Sequence, residues 1–329
     1  MDKIKKISII GAGSWGTALA VLLAEKDYSI KLWCRRKELA EEINKNEENK
    51  QYLKNIKISN KVTATSSIED SSKNADLIVF CVPSDFLRDT AKAFSKFIKK
   101  GTIVMHTAKG IEASTGKLMS KVLEEELNVN DVAVLSGPNH AEEVANKLPT
   151  ATVIACKNEG ISKSLCNLFK TEYFKPYAHD DPVGVEICGA VKNIIAIALG
   201  VCDGLNFGDN AKASILTLGL SEMSLIAHKF GAKRMTCYGL AGVGDLVVTC
   251  YSSHSRNRFV GEMLSKGKNI ENIKNEMHGM VAEGIKNTKT IHDICRKINV
   301  EAPLITQTYS VLYQGVNLKK AIKELLNTV

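Results

Sequence analysis

The chain has 329 residues, 44% of them hydrophobic and 24% charged, enough for one large or two ordinary domains with a sizeable core. Its net charge of +8 comes from 44 Lys and Arg dispersed among 36 Asp and Glu, with short clusters only at 3–6 and at Lys99-Lys100, which argues against a nucleic-acid partner and for small anionic ligands. Nine cysteines without a C-x-x-C pair and seven scattered histidines fit neither a zinc site nor a disulfide framework, so no metal and a reducing, cytoplasmic setting are expected.

Apolar runs rich in β-branched residues recur through the first half: Lys6–Ile10, Ile30–Cys34, Val62–Thr65, Leu77–Val82, Ile103–His106, Val132–Leu135 and Thr150–Ala155. Helical periods stand between them at Thr17–Glu25, Phe86–Ile98, Lys117–Leu127 and Ile161–Phe169. Strands alternating with helices predict an α/β, mostly parallel sheet covered on both faces. From about Pro182 helical periods dominate, at Gly189–Leu199, Ala211–Phe230, Arg258–Ser265, Thr288–Lys297 and from Tyr309 onward. Pro182 and Gly184 punctuate the transition, so an α/β domain over 1–183 and an all-α domain over 184–329 are expected. No apolar stretch approaches the ~20 residues of a membrane span, and the charged start Met1 to Lys6 gives no signal-peptide pattern.

The first strand runs into Gly11-Ala12-Gly13-Ser14-Trp15-Gly16 and then an apolar helix. A G-x-G-x-x-G in that context is a dinucleotide site. Gly11 permits the tight turn, Gly13 the approach of a pyrophosphate, and Gly16 close helix–strand packing, while the helix N-terminus offers N–H groups to phosphate. An acid that grips the ribose is expected to end the second strand, but KLWCRRKE puts Cys34 there, followed by Arg35 and Arg36. Guanidinium groups at that point suit a 2′-phosphate, which favours NADP(H) over NAD(H) without excluding the latter.

Lys192 lies in CGAVKNIIAIALG, with Cys188, Gly189, Ile195, Ala196 and Leu199 along its helical stripe. Desolvation favours the neutral amine, a neighbouring acid restores the charge, and such a lysine can protonate a carbonyl oxygen; a lysine snorkelling to the surface is the alternative. Lys109 follows a strand end, where such sheets place ligands, and the strand ending at Ser136-Gly137-Pro138 repeats the arrangement. Asp245 stands between a glycine turn and the apolar run Leu246–Val248. Ser255 is a candidate N-cap for a helix opening at Arg256-Asn257; free N–H groups beside a forked guanidinium suit a phosphate dianion, although a solvated helix start reads the same way.

GAGSWGTALA, CVPS, AKGIE, SGPNHAEEVA, CGAVKNIIAIALG, GLAGVGDL and SRNR occur in this order between Gly11 and about Glu283. Together they closely resemble the bacterial NAD(P)-dependent glycerol-3-phosphate dehydrogenases. The resemblance implies a Rossmann-like domain followed by a helical substrate domain, and reversible reduction of dihydroxyacetone phosphate to sn-glycerol 3-phosphate for glycerophospholipid synthesis. It implies that Lys192 transfers the proton, that Lys109 meets cofactor and substrate, and that Asp245 stands beside the catalytic lysine. It further implies substrate contacts for Gly137, Ser255, Arg256 and Asn257. Cofactor contacts are implied for Ser14, Trp15, Arg35, Arg36, Ala141, Val281 and Glu283, with Arg256 again. Cys188-Gly189 replaces the usual Gly-Gly, and His140 and Ala108 also depart from the pattern. A β-hydroxyacid or 6-phosphogluconate dehydrogenase, or a non-catalytic NAD(P) sensor, are the rival readings. The expected partners are small molecules, with no nucleic acid and no membrane span; a homodimer is compatible with the sequence.

Overall fold

The computed structural model describes residues 4–277 and 281–328; Met1 to Lys3 of the charged start lie outside them. Two compact units form, one from Met1–Ala108 with Met119–Pro182, the other from Lys109–Leu118 with Val183–Val329.

Among the described residues the first unit holds ten strands: β1 (Lys6–Ile10), β2 (Ser29–Trp33), β3 (Glu48–Asn49), β4 (Leu53–Lys57), β5 (Val62–Thr65), β6 (Leu77–Phe80), β7 (Ile103–His106), β8 (Ala133–Ser136), β9 (Thr150–Ala155) and β10 (Phe174–His179). Eight of them form one sheet in the order β10-β9-β8-β7-β6-β1-β2-β5, parallel throughout except for β8 against β9. All four residues of β6 and of β8 are buried, as expected of strands covered on both faces. The cover comes from α1 (Ser14–Ala24), α2 (Lys37–Asn46), α3 (Ile68–Ser72), α4 (Leu87–Phe94), α5 (Met119–Leu127), α6 (Ala141–Ala145) and α7 (Glu159–Phe169). The antiparallel β3–β4 pair stands apart from the main sheet.

The second unit is built on α8 (Pro182–Gly204), α9 (Asp209–Lys229), α10 (Asp245–Tyr251), α11 (Arg256–Ser265), α12 (Ile270–Glu276), α13 (Glu283–Lys297), α14 (Pro303–Gln314) and α15 (Leu318–Leu326). Pro182, which the sequence reading takes as punctuation, is the first residue of α8. A proline is tolerated there because the first turn of a helix leaves its N–H groups unbonded anyway. At 23 residues, with a most apolar window of mean hydropathy 1.8, α8 is long and apolar enough to cross a membrane, contrary to the expectation that no stretch comes close. Its most apolar window is entirely buried inside the protein, and α8 supplies the axis of the helical core. Each fully buried aliphatic side chain there contributes ~1.5–3 kcal/mol.

Close packing places α11 directly on α8. A Cβ at Gly200 would lie 2.0 Å from the Arg258 carbonyl oxygen, and one at Gly261 2.1 Å from that of Ile197. Lys109–Leu118 joins this unit although the sequence reading assigns it to the first. Ile111 and Leu118 form a β-bridge and are both buried in the helical core, which fixes the segment there.

Candidate active site

In the first unit the G-x-G-x-x-G stretch forms the turn from β1 into α1. Gly11 has φ +114°, and its N–H donates to the Trp33 carbonyl, tying the turn to the end of β2. A Cβ at Gly16 would lie 1.9 Å from the Gly11 carbonyl oxygen, so only glycine lets the helix start so close to the turn. A Cβ at Gly13 would meet no atom of the protein within 4 Å, leaving room for a ligand against its backbone. The Ser14 hydroxyl donates to the Tyr52 carbonyl at 2.8 Å. Trp15 packs against a small cluster of Ala18, Leu53, Ile56, Ala141 and Ala145, which brings Ala141, the first residue of α6, to the α1 side of the sheet. Gly137, at φ +143°, directly follows β8 with its backbone against Thr152.

Past the end of β2, Cys34 is buried, and burial pushes its thiol up to about 12, so it remains protonated. Arg35 and Arg36 are exposed beyond it, and Arg36 donates to the Gln51 side chain. The residues present fit a dinucleotide whose ribose carries a phosphate. A glycine cradle leads into a helix N-terminus, no carboxylate replaces Cys34, and two guanidinium groups stand nearby.

In the second unit the three residues expected to carry chemistry meet at one carboxylate. Lys192 bonds to Asp245 Oδ1, and its ammonium also donates to Thr249 Oγ1 at 2.7 Å; Lys109 Nζ donates to Asp245 Oδ2 at 2.8 Å. Lys192 is 5% exposed and Asp245 1%, so these are buried charges. Burial drives the Lys192 ammonium down to about 7; the Asp245 charge opposes the fall and the Lys109 charge adds to it. For Asp245, burial alone would raise the carboxyl, but Lys109 and Lys192 overcome it and hold the group below its ordinary value. Asp245 is aimed by its backbone: Leu240–Gly244 is a π-helical turn that runs straight into α10. Such turns redirect side chains at functional sites.

Beside this triad lies the start of α11. Ser255 caps it, its hydroxyl accepting from the Arg258 N–H at 3.2 Å. Asn257 Nδ2 donates to Asn193 Oδ1 at 2.9 Å, and Asn257 Oδ1 accepts from the Gly284 N–H at 2.9 Å. One asparagine thus ties α11 to α8, next to Lys192, and to α13. Arg256 donates to the Val281 carbonyl at 3.2 Å, which brings it to the chain just before Glu283, the first residue of α13.

A family model described as NAD-dependent glycerol-3-phosphate dehydrogenase N-terminus matches residues 6–162, and the corresponding C-terminus model matches residues 181–323. The chain belongs to the NAD-dependent glycerol-3-phosphate dehydrogenase family. It is 44% identical over 324 residues to the glycerol-3-phosphate dehydrogenase [NAD(P)+] of Chlorobium chlorochromatii, covering 98% of this chain and 97% of the relative. A Clostridium botulinum relative of the same name is 44% identical over 323 residues, with the same coverage. The crystal structure of glycerol-3-phosphate dehydrogenase from Coxiella burnetii superposes with a TM-score of 0.95 at 37% identity, over 98% of this chain and 99% of that one.

Three polar residues at this site are not among those expected from the sequence. Thr249 lies one helical turn after Asp245, an (i, i+4) signal hidden by taking Leu246–Val248 for a plain apolar run. Asn193 is visible beside Lys192 but carries no role until Asn257 meets it. Asn287 has no local signal: its partners are 97 and 178 residues away.

Proposed function

We propose that this protein is a glycerol-3-phosphate dehydrogenase that reversibly reduces dihydroxyacetone phosphate to sn-glycerol 3-phosphate with NAD(P)H, supplying the backbone of glycerophospholipids. The observation that carries the reading is the buried Asp245 carboxylate shared by the buried Lys192 and the half-buried Lys109, beside a capped helix start that bears Arg256. A reduced nicotinamide, when bound, supplies hydride to the carbonyl carbon. Lys192 gives its proton to the carbonyl oxygen as charge develops there, and a group that titrates near 7 is matched to that task. Asp245 favours the charged form of Lys192 and aims it, and Lys109 adds a second positive charge against the developing oxyanion. The apolar flank of α8 keeps water from competing for the proton. Ser255, Arg256 and Asn257, with the N-terminus of α11, hold the substrate phosphate, so that binding energy remote from the carbonyl orients it.

The exposed Arg35 and Arg36 beyond a buried Cys34 support NADPH as the favoured cofactor, with NADH also usable. Gly11, Gly13, Ser14, Trp15, Gly16 and Ala141 support the dinucleotide assignment, and Val281 and Glu283 belong to the same cofactor reading. We place the enzyme in the cytoplasm, with the phosphorylated triose and the cofactor as its small-molecule partners. Steady-state kinetics with dihydroxyacetone phosphate, both reduced cofactors and a panel of 2-oxo acids tests the proposal. Turnover of the triose phosphate alone, faster with NADPH, is expected. Turnover of an oxo acid in its place, or of no substrate at all, refutes it.

A further inference from the structure

Lys192 is carried on a helix, but Lys109 is not: residues 107–110 have no regular secondary structure. Something else must bring the Lys109 ammonium to the same carboxylate. The Lys109 carbonyl accepts a hydrogen bond from Asn287 Nδ2 at 2.9 Å, and the same nitrogen donates to the Ala190 carbonyl at 3.2 Å. Ala190 is two residues before Lys192, so one amide clasps the peptide that carries the first lysine to the α8 turn that carries the second. Asn287 is 3% exposed. A buried asparagine in a helix interior costs free energy unless its polar atoms are matched, and here both carbonyls demand a donor. A carboxylate would set like charge against them, and an apolar side chain would leave them without this partner.

We propose that Asn287 is a positioning residue that fixes Lys109 relative to Lys192 by holding the Lys109 backbone against α8, so that both ammonium groups reach Asp245. The proposal rests on the roles given above to the two lysines. It extends to proton affinity. The groups facing Lys192 are Asp245 and Thr249 from α10, with the Cys250 thiol on that helix, and Lys109 from its own segment. Lys109 is the cation among these described groups, and its charge pushes the Lys192 proton off. Freed from Asn287, Lys109 withdraws and Lys192 holds its proton to higher pH.

The test is Asn287→Ala and Asn287→Ser, assayed with dihydroxyacetone phosphate and NADPH. Ile291→Val, at a fully buried apolar position one turn further along α13, serves as a packing control. For Asn287→Ala, kcat should fall ~10–100-fold, the scale of a misplaced catalytic group. The pH midpoint of the reaction should rise by at least ~0.5 unit as the repulsion weakens. Asn287→Ser, which keeps one donor, should recover part of the loss. Ile291→Val should lower thermal stability without moving the midpoint. An Asn287→Ala enzyme with the kcat and midpoint of the wild type overturns the proposal, as does an Ile291→Val enzyme that loses as much activity. Should Asn287→Ala fail to fold, the midpoint of Asn287→Ser decides, and an unmoved midpoint overturns it. Lys192→Ala separates the two levels of argument. If it keeps its kcat, the reading of the site itself fails. If it is inactive while Asn287→Ala is normal, only the role of Asn287 fails.

Discussion

Asp245→Asn is the perturbation that best isolates the electrostatics of the triad. The substitution keeps shape but leaves one acceptor oxygen where two now serve two ammonium groups. The new NH₂ faces a cation, and the charge that opposes burial at Lys192 is gone. In the wild type, burial has already brought that ammonium down to about 7. In the variant the midpoint moves lower, and each further unit removes about tenfold of the protonated acid. Loss of general-acid help is worth ~10²–10⁴-fold, or ~2.7–5.4 kcal/mol of barrier. The expected result is a kcat for triose phosphate reduction at least ~100-fold lower at neutral pH, partly restored on acidification, with NADPH affinity by fluorescence titration little changed. Stability follows the same sign. The folded-state pKa of Lys192 lies below its unfolded value, so folding is favoured as pH rises toward that value, and the thermal deficit of the variant should narrow at alkaline pH. A variant with near-wild-type kcat at pH 7.5, or with an unmoved pH profile, would show that Asp245 does not govern the protonation of Lys192.

In the wild type, reduction should slow about tenfold per unit as pH climbs above about 7, while oxidation of glycerol 3-phosphate should speed up through the same range; parallel profiles in the two directions would contradict a lysine acid–base group. Arg36→Ala should lower kcat/KM for NADPH more than for NADH, since only the former carries a 2′-phosphate, and equal losses would reduce Arg36 to surface charge. Arg256→Lys should cost at least ~10-fold in kcat/KM with dihydroxyacetone phosphate but much less with phosphate-free dihydroxyacetone at saturating cofactor, because an ammonium cannot reproduce a forked contact; an equal proportional loss removes Arg256 from the phosphate site. Glu222 is buried, which pushes its carboxyl up to about 7 even though it accepts the Leu304 and Ile305 N–H groups at the start of α14. The stability of its neutral form is therefore complete below about 4.5 and is lost as pH rises through about 7, by ~3 kcal/mol. Glu222→Gln should flatten that slope in thermal melts, and a slope unchanged in the variant would assign it to other groups.

Features encoded by local period were legible in the sequence. The glycine turn, the strands that flank it and the capped start at Ser255 follow from spacing and residue type alone. Where tertiary packing overrode local preference, the reading missed. Leu246–Val248 is rich in β-branched residues yet lies in α10, because the π-helical turn before it already commits the chain to a helix. The β3–β4 pair joins two residues to five, too short and too polar to alternate. Helix α2 does show the spacing Leu39, Ala40, Ile43, but it is masked by a run of charges that reads as an exposed segment. Lys192, Lys109 and Asp245 were each visible, but their meeting on one carboxylate was not, since no local pattern encodes a contact across 136 residues.

The assignment of Lys109–Leu118 to the helical unit bears on how such chains can be recombined. No single crossover divides this protein into a nucleotide module and a chemistry module. A fragment starting at Val183 contains Lys192, Asp245 and Asn287 but lacks the backbone that Asn287 grips and the second ammonium on Asp245. A chimera joined near residue 182 would therefore pair one parent's asparagine with another parent's lysine segment. Its success would depend on whether ten residues from the middle of the donor's first half fit a helix they were never selected to meet. Grafting those ten residues along with the helical half is the exchange the chain's own connectivity prescribes.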